Sequence, residues 1–211
     1  VGLYGGAYGV TKGMIEEFGD KRILDTPISE EGIVGCAVGS AMTGLRPVVE
    51  LMYVDFVMLA MDQLANQAAK IRYMFGGQIS VPMVMRAQGG TGRSGAAQHS
   101  QSLEAWMMHT PGLNLAMPAT VNDAYLLLKH ALKLSDPVVF IEHKMLYTLK
   151  GDLNKSESIS WGQAAILRSG SDFTLVTYSR MVHRALEAAE RLAEVGIQAE
   201  VIDLRTLYPL D

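Results

Sequence analysis

Short apolar runs alternate along this chain with segments of helical character, and that alternation restricts the fold more than any other feature. Residues 47–52, 81–86, 113–117 and 137–143 read as buried strands bounded by turn residues. A long helical stretch, residues 56–75, separates the first two and stops at Gly76-Gly77. Thr120-Val121-Asn122-Asp123 is a capping box, which predicts a helix running to about Leu134. Strands separated by helices need crossover connections, so the pattern predicts an α/β fold with a mainly parallel sheet flanked by helices. Ahead of it, glycine-rich residues 1–13 read as a loop, residues 11–18 as the start of a short helix and 22–25 as a short strand.

Downstream the pattern breaks. A polar stretch containing Gly151-Asp152 and Ser156-Glu157-Ser158 reads as a linker. Residues 173–178, 183–192 and 199–204 then form one strand–helix–strand unit. One such unit cannot cover both faces of its own sheet. The expected organisation is therefore a first domain over 1–150, a linker over 151–170 and the truncated start of a second α/β domain over 171–211. The opening Val1 and the end at Asp211 both look like cuts in a longer protein.

Composition narrows the function. The 211 residues are 49% hydrophobic and only 19% charged, with a formal net charge of −4, so no basic excess draws the chain to nucleic acid. The longest apolar stretches are far shorter than a membrane span. The single cysteine, Cys36, has no internal partner for a disulfide, which fits a reducing compartment. Thirteen methionines read as adaptable core and interface filler.

A helix over 29–43 has Ser29 as its expected N-cap and Gly44 as its stop. Its interior holds Gly32, Gly35, Ala37, Gly39, Ser40 and Ala41, which permit another backbone or a flat ligand to approach closely. Glu30 and Glu31 open it; one suffices for the helix dipole, and the other is free to face a ligand. His99 sits between Gln98 and Ser100 at the end of a glycine-rich loop, and histidine is the residue type most often used for proton transfer. His109, His130, His143 and His183 lie in or beside regular elements and read as structural. Phe56 either stacks on an aromatic ring or packs in the core.

Other sites find less support in the sequence, a nucleotide-dependent dehydrogenase using the 90–95 loop among them. Gly90-Thr91-Gly92-Arg93-Ser94-Gly95 has the glycine spacing of a dinucleotide loop, but no Asp or Glu occurs between Ala105 and Asn122 to hold a ribose. There is no phosphate-binding P-loop, no Cys/His cluster with zinc spacing and no Gly-x-Ser-x-Gly elbow.

Several segments taken in order carry a family resemblance. They are Tyr4-Gly5-Gly6-Ala7-Tyr8-Gly9, Asp25-Thr26-Pro27-Ile28-Ser29-Glu30, Thr43-Gly44-Leu45-Arg46-Pro47, Asp62-Gln63 with Asn66-Gln67-Ala68-Ala69-Lys70, and Arg72-Tyr73-Met74-Phe75-Gly76-Gly77. Ala96-Ala97-Gln98-His99-Ser100-Gln101, His109-Thr110-Pro111-Gly112-Leu113 and Glu142-His143-Lys144-Met145-Leu146-Tyr147 complete the set. The chain resembles, over essentially its whole length, the E1 beta subunits of thiamine-diphosphate-dependent 2-oxo acid dehydrogenase complexes of the pyruvate, acetoin and branched-chain types.

That resemblance implies a transketolase-like pyrimidine-binding domain. It places Glu30 at N1′ of the cofactor's aminopyrimidine, setting its tautomer, with Phe56 against the ring and Met52 lining the same region. It places His99 near the substrate and the incoming lipoyl group, for proton transfer during acyl transfer. Main-chain carbonyls of Ala131, Leu134 and Asp136 match a potassium site of some members. The family's Gly-Asp-Gly segment for Mg²⁺ and diphosphate is absent here and is carried by the alpha subunit. The implied partners are that alpha subunit in an alpha2beta2 assembly, a second beta subunit and the lipoyl acyltransferase E2. The implied location is the bacterial cytoplasm, or the mitochondrial matrix in a eukaryote. Pyruvate is the expected substrate, with acetoin and branched-chain 2-oxo acids as alternatives. A non-catalytic α/β binding module is the alternative of a different class.

Overall fold

A computed structural model of the chain describes residues 2–211. Among the described residues, eight strands form two sheets. The larger contains β1 (Val48–Leu51), β2 (Val84–Gly89), β3 (Asn114–Ala116), β4 (Val138–His143) and β8 (Thr206–Tyr208), in the spatial order β1-β2-β4-β3-β8. The pairs β1/β2, β2/β4 and β3/β4 are parallel. Only β8 runs antiparallel, against β3. The smaller sheet orders β5 (Ala165–Arg168), β7 (Ala199–Asp203) and β6 (Phe173–Thr177) as β5-β7-β6. There β6 and β7 are parallel, joined through the helix Arg180–Glu194, and β5 is antiparallel at the edge.

Both faces of the larger sheet are covered, which is why its strands read as continuous apolar runs. Every residue of β2 is buried. Met85, Ala87, Val139, Ile141 and Leu115 face one layer, made by the helix Glu30–Met42 and the helical stretch over 54–74. Val84, Val138, Phe140 and Ala116 face the other, made by the helix Val121–Ala131. The capping box there forms as expected: the Asp123 amide donates to Thr120 Oγ1 at 3.0 Å, and the Thr120 hydroxyl donates to Asp123 Oδ2 at 2.7 Å.

Four local expectations are corrected. The helix expected over 56–75 is a rod of changing pitch: a 3-10 helix Val54–Ala60, a π-helical stretch Asp62–Ala68 and an α-helix Ala69–Met74. Its buried side chains Val57, Ala60, Leu64, Ala68 and Ile71 keep one face inward at spacings of three and four. Apolar periodicity reports that face and not the pitch. Residues 22–25 form no strand; Leu24 is exposed and no neighbouring strand pairs with the segment. Ser29 precedes the helix Glu30–Met42 without donating or accepting a side-chain capping bond. The stretch read as linker contains β5, and its Ile159 and Trp161 pack on the face formed by Val138 and Phe140. Trp161 Nε1 also donates to Asn114 Oδ1 at 3.2 Å. Beyond β7 the chain crosses back to the first sheet as β8, so the two sheets are stitched by one continuous strand-to-strand passage.

Candidate functional site

Three parallel strands of the larger sheet release their chains at the same edge, where α/β folds place their ligands. β1 leads into Met52 and Tyr53, β2 into the loop beginning at Gly90, and β4 into Lys144. Gly90 has φ 83°, and a Cβ there would lie 2.3 Å from His143 Nε2, so this turn requires glycine. The loop continues through Ser94 and Ala96, both at positive φ, to a single 3-10 turn Ala97–His99. Such non-glycine outliers persist only where the surroundings hold them, and they gather at functional sites.

His99 is brought to the centre of this edge. Its ring meets Tyr53 at 4.9 Å and Phe56 at 5.4 Å between centroids, both edge-on at 79°. Tyr8 stacks on Tyr147 at 4.7 Å, and Arg93 lies over the Tyr8 ring at 5.2 Å. Tyr8, Tyr53, Arg93, Gly95, His99 and Lys144 line a cleft of about 240 Å³. A larger hollow of about 690 Å³ includes Arg72, Tyr73, Gly112, Asp136 and Tyr208. Its charges Arg72 and Asp136 neutralise each other at 2.7 Å, so the groups suited to proton transfer lie in the smaller cleft.

Polar side chains buried beneath the cleft form one network. Arg86 donates to both oxygens of Glu142, at 2.7 and 2.6 Å, and to Glu50 at 3.2 Å. Burial opposes the Arg86 charge, but the Glu142 bonds outweigh it and hold the guanidinium above its ordinary range. The Tyr147 hydroxyl donates to Glu142, and burial together with that carboxylate keeps it protonated. Gln88 donates to Glu50 at 3.0 Å and accepts from the amide of Tyr53 at 3.0 Å. Tyr53 itself stands at φ 75°. His143 is depressed to about 4 by burial and by Arg180 and Lys144, so it is neutral at physiological pH. Its Nδ1 accepts from the Met145 amide at 3.2 Å, a structural duty that agrees with its sequence reading.

The remaining sequence candidates are distributed as follows. Glu30 opens its helix and is 9% exposed; among the described residues its carboxylate takes no hydrogen bond or ion pair. That helix packs against the 3-10 helix bearing Phe56, but no bond joins Glu30 to Phe56 or His99. Met52 is half-buried just beyond β1. Ala131, Leu134 and Asp136 lie far from His99 in the fold, beyond the opposite end of the strands. The Leu134 carbonyl accepts from Arg46 Nη1 at 2.7 Å, as does that of Leu132 at 3.0 Å, and the Ala131 carbonyl accepts from the Leu134 amide at 3.2 Å. Of the three carbonyls expected at a potassium site, only that of Leu134 is taken by the Arg46 guanidinium.

Sequence reasoning missed Tyr8, Tyr53, Asp55, Lys144 and the Glu50–Arg86–Gln88–Glu142 network. A signal existed for the network: polar residues recur at every second position inside otherwise apolar strands, and Glu50 is paired in register with Arg86 and Gln88 with Glu142.

Comparison with known proteins places this geometry. Residues 2–150 match the transketolase pyrimidine-binding domain, and residues 162–211 match the transketolase C-terminal domain. The chain is 52% identical over 209 residues to the beta subunit of acetoin:2,6-dichlorophenolindophenol oxidoreductase of Cupriavidus necator, covering 99% of this chain and 62% of the relative. It is 47% identical to the 2-oxoisovalerate dehydrogenase beta subunit of Bacillus subtilis, covering 100% of this chain and 65% of the relative. It is 49% identical to the mitochondrial pyruvate dehydrogenase E1 beta-1 subunit of Arabidopsis thaliana, covering 100% of this chain and 60% of the relative. The chain thus spans less than two thirds of the length of these relatives. In fold it matches a split-gene transketolase, described as an inactive beta4 tetramer, with a TM-score of 0.82 at 22% identity over 98% of this chain and 64% of that one. The transketolase-like α/β architecture implied by the ordered motifs is therefore the architecture found, and the chain belongs to the transketolase pyrimidine-binding domain family.

Proposed function

We propose that this chain supplies the pyrimidine-binding half of a thiamine-diphosphate-dependent E1 enzyme, with pyruvate as substrate and a lipoyl group on E2 as acyl acceptor. The observation that carries the reading is Glu30: a residue 9% exposed at a helix start, whose carboxylate has no bonding partner among the described residues. A carboxylate accepts hydrogen bonds, and one left without a partner in the chain is open to a donor from outside it, such as a ring nitrogen bearing a proton. Phe56 is half-buried on the neighbouring helix and offers a flat apolar surface for a ring. These two residues fit an aminopyrimidine.

When bound, thiamine diphosphate supplies the electron sink for breaking the carbon–carbon bond. The chain's own side chains do the rest. Glu30 holds a proton at N1′, Phe56 and Met52 exclude water from the ring, and His99 moves a proton at the substrate side of the cleft. The Mg²⁺ and diphosphate contacts are assigned to an alpha subunit in an alpha2beta2 assembly with a second copy of this chain. Leu24 and Ile28, about 70% exposed and just ahead of Glu30, give that partner an apolar surface beside the site. The named location of the Arabidopsis relative and the bacterial origin of others support the mitochondrial matrix or the bacterial cytoplasm. No helix among the described residues is long and apolar enough to cross a membrane. Acetoin is the second reading, favoured by the 52% identity to an acetoin-type beta subunit.

The test is Glu30→Gln in the full-length subunit assembled with its alpha partner. Turnover of pyruvate, acetoin and branched-chain 2-oxo acids should fall on the order of 100- to 10,000-fold for whichever substrate the wild type uses, with assembly intact. Unchanged turnover in an assembled variant refutes the assignment.

A further inference from the structure

Two buried charges of opposite sign sit beside His99 without pairing with each other. Asp55 is 5% exposed and lies one residue before Phe56; Lys144 is 3% exposed and follows β4 directly. No salt bridge joins them among the described residues. Asp55 Oδ1 instead accepts from the amides of Ser100, at 3.1 Å, and Gln101, at 3.0 Å. Lys144 Nζ donates to the main-chain carbonyl of His99. That carbonyl and the Ser100 amide belong to one peptide group. A cation holds its oxygen end and an anion holds its N–H end, so both charges oppose the matching poles of a single peptide dipole.

We propose that Asp55 and Lys144 are positioning residues that clamp the 99–100 peptide and thereby aim the His99 imidazole into the cleft. Gripping a peptide at both ends stops its plane from rotating, which fixes ψ of His99 and φ of Ser100. The ring is then wedged by Tyr53 at 4.9 Å and Phe56 at 5.4 Å, each edge-on. Both wedges belong to the segment that carries Asp55, so one short stretch of chain holds the backbone and the ring of His99 together. Lys144 ties the same turn to the end of β4, and its Nζ lies 5.3 Å from the Tyr53 centroid. Burying charges is costly unless something is gained by it. A pair serving stability alone would meet directly rather than through a loop peptide. Only Oδ1 of Asp55 takes part in these bonds; Oδ2 is buried without a partner among the described residues.

The inference rests on the reading of His99 as a proton-transfer residue, and the test separates the two. Lys144→Met and Asp55→Asn are made in the full-length subunit assembled with its alpha partner. Each should lower kcat on the order of 10- to 100-fold with little change in KM, the size expected from misplacing a catalytic group by about an ångström. In a His99→Ala background the same changes should cost nothing further, because they act through His99. Independently of turnover, the rate at which diethylpyrocarbonate modifies His99, read by peptide mass spectrometry, should rise severalfold in both variants. If Lys144→Met fails to assemble, Lys144→Gln, which keeps an N–H donor, should lose less than Asp55→Asn. A loss that multiplies with His99→Ala, or an unchanged modification rate, overturns the clamp. Absence of thiamine-dependent turnover in the wild type overturns the functional reading instead, and the modification rates still decide the clamp.

Discussion

Asp203 ends β7 at the point where the chain leaves the smaller sheet for the larger one, and it is fully buried. Its Oδ1 accepts from the Arg205 amide at 3.0 Å, while Oδ2 has no partner among the described residues. Burial raises its pKa from 3.8 to about 6; the nearby Asp123 carboxylate adds to the rise, and the Arg205 amide bond, the Arg205 charge and His183 oppose it. A carboxyl held above its unfolded value binds its proton more tightly in the folded chain. The stability it contributes is therefore complete below pH 3.8 and lost as pH rises towards 6. At about 1.4 kcal/mol per pH unit, the loss is about 3 kcal/mol. Asp203→Asn keeps an acceptor for the Arg205 amide and does not titrate. Whatever its amide costs in packing is constant with pH and cancels from a comparison across pH. Urea unfolding of wild type and variant, followed by tryptophan fluorescence between pH 4 and 7.5, should show the difference moving in favour of the variant by about 2.4 kcal/mol over that range, since the unfolded carboxyl is already partly ionised at pH 4. A difference that stays flat, or moves the other way, refutes the claim that Asp203 is held against its ionised form.

The polar network and one turn give two further tests. Arg86→Met leaves Glu50 and Glu142 buried with no cation between them, and should cost about 3–5 kcal/mol in chemical denaturation; a loss below about 1 kcal/mol would mean that the carboxylates protonate or rehydrate freely. Gly112 has φ 101°, and a Cβ there would lie 2.1 Å from the Ala69 carbonyl oxygen. Gly112→Ala should therefore cost more than about 2 kcal/mol, read as a lowered Tm, since neither the backbone angle nor the helix wall can yield cheaply.

The parts of this fold that were legible in sequence are those in which burial on both faces decides every position. The runs over 81–86 and 137–143 carry no alternation because helices cover both sides of β2 and β4, and their identity as central parallel strands follows from that alone. Boundaries were less legible. Leu113 and Met117 flank β3 as buried neighbours without pairing in it, and apolarity does not distinguish the two conditions. β5 was hidden because an edge strand with Ile166 exposed has no periodic signature. Among the candidate residues, Glu30 and His99 were marked by their surroundings in the chain. Asp55 and Lys144 were not, because each bonds main-chain groups 45 or more residues away, and a backbone donor or acceptor has no residue type to read.

The polar network beneath the cleft explains why charged residues interrupt the strands that build it. Its last member to touch the site is not a side chain: Gln88 bonds the main-chain amide of Tyr53, a tyrosine held at φ 75°. Left-handed geometry at a bulky residue costs on the order of 1–3 kcal/mol and persists only when something over-determines it. Glu50 fixes Gln88, Arg86 fixes Glu50, and Glu142 with Tyr147 fixes Arg86. That turn at Tyr53 starts the 3-10 helix carrying Asp55 and Phe56 and swings the Tyr53 ring against His99. The strained residue and the buried charges are thus one construction. The sheet accepts ion pairs in its interior, and the chain leaving β1 takes the direction that brings the rings of Tyr53 and Phe56 against His99.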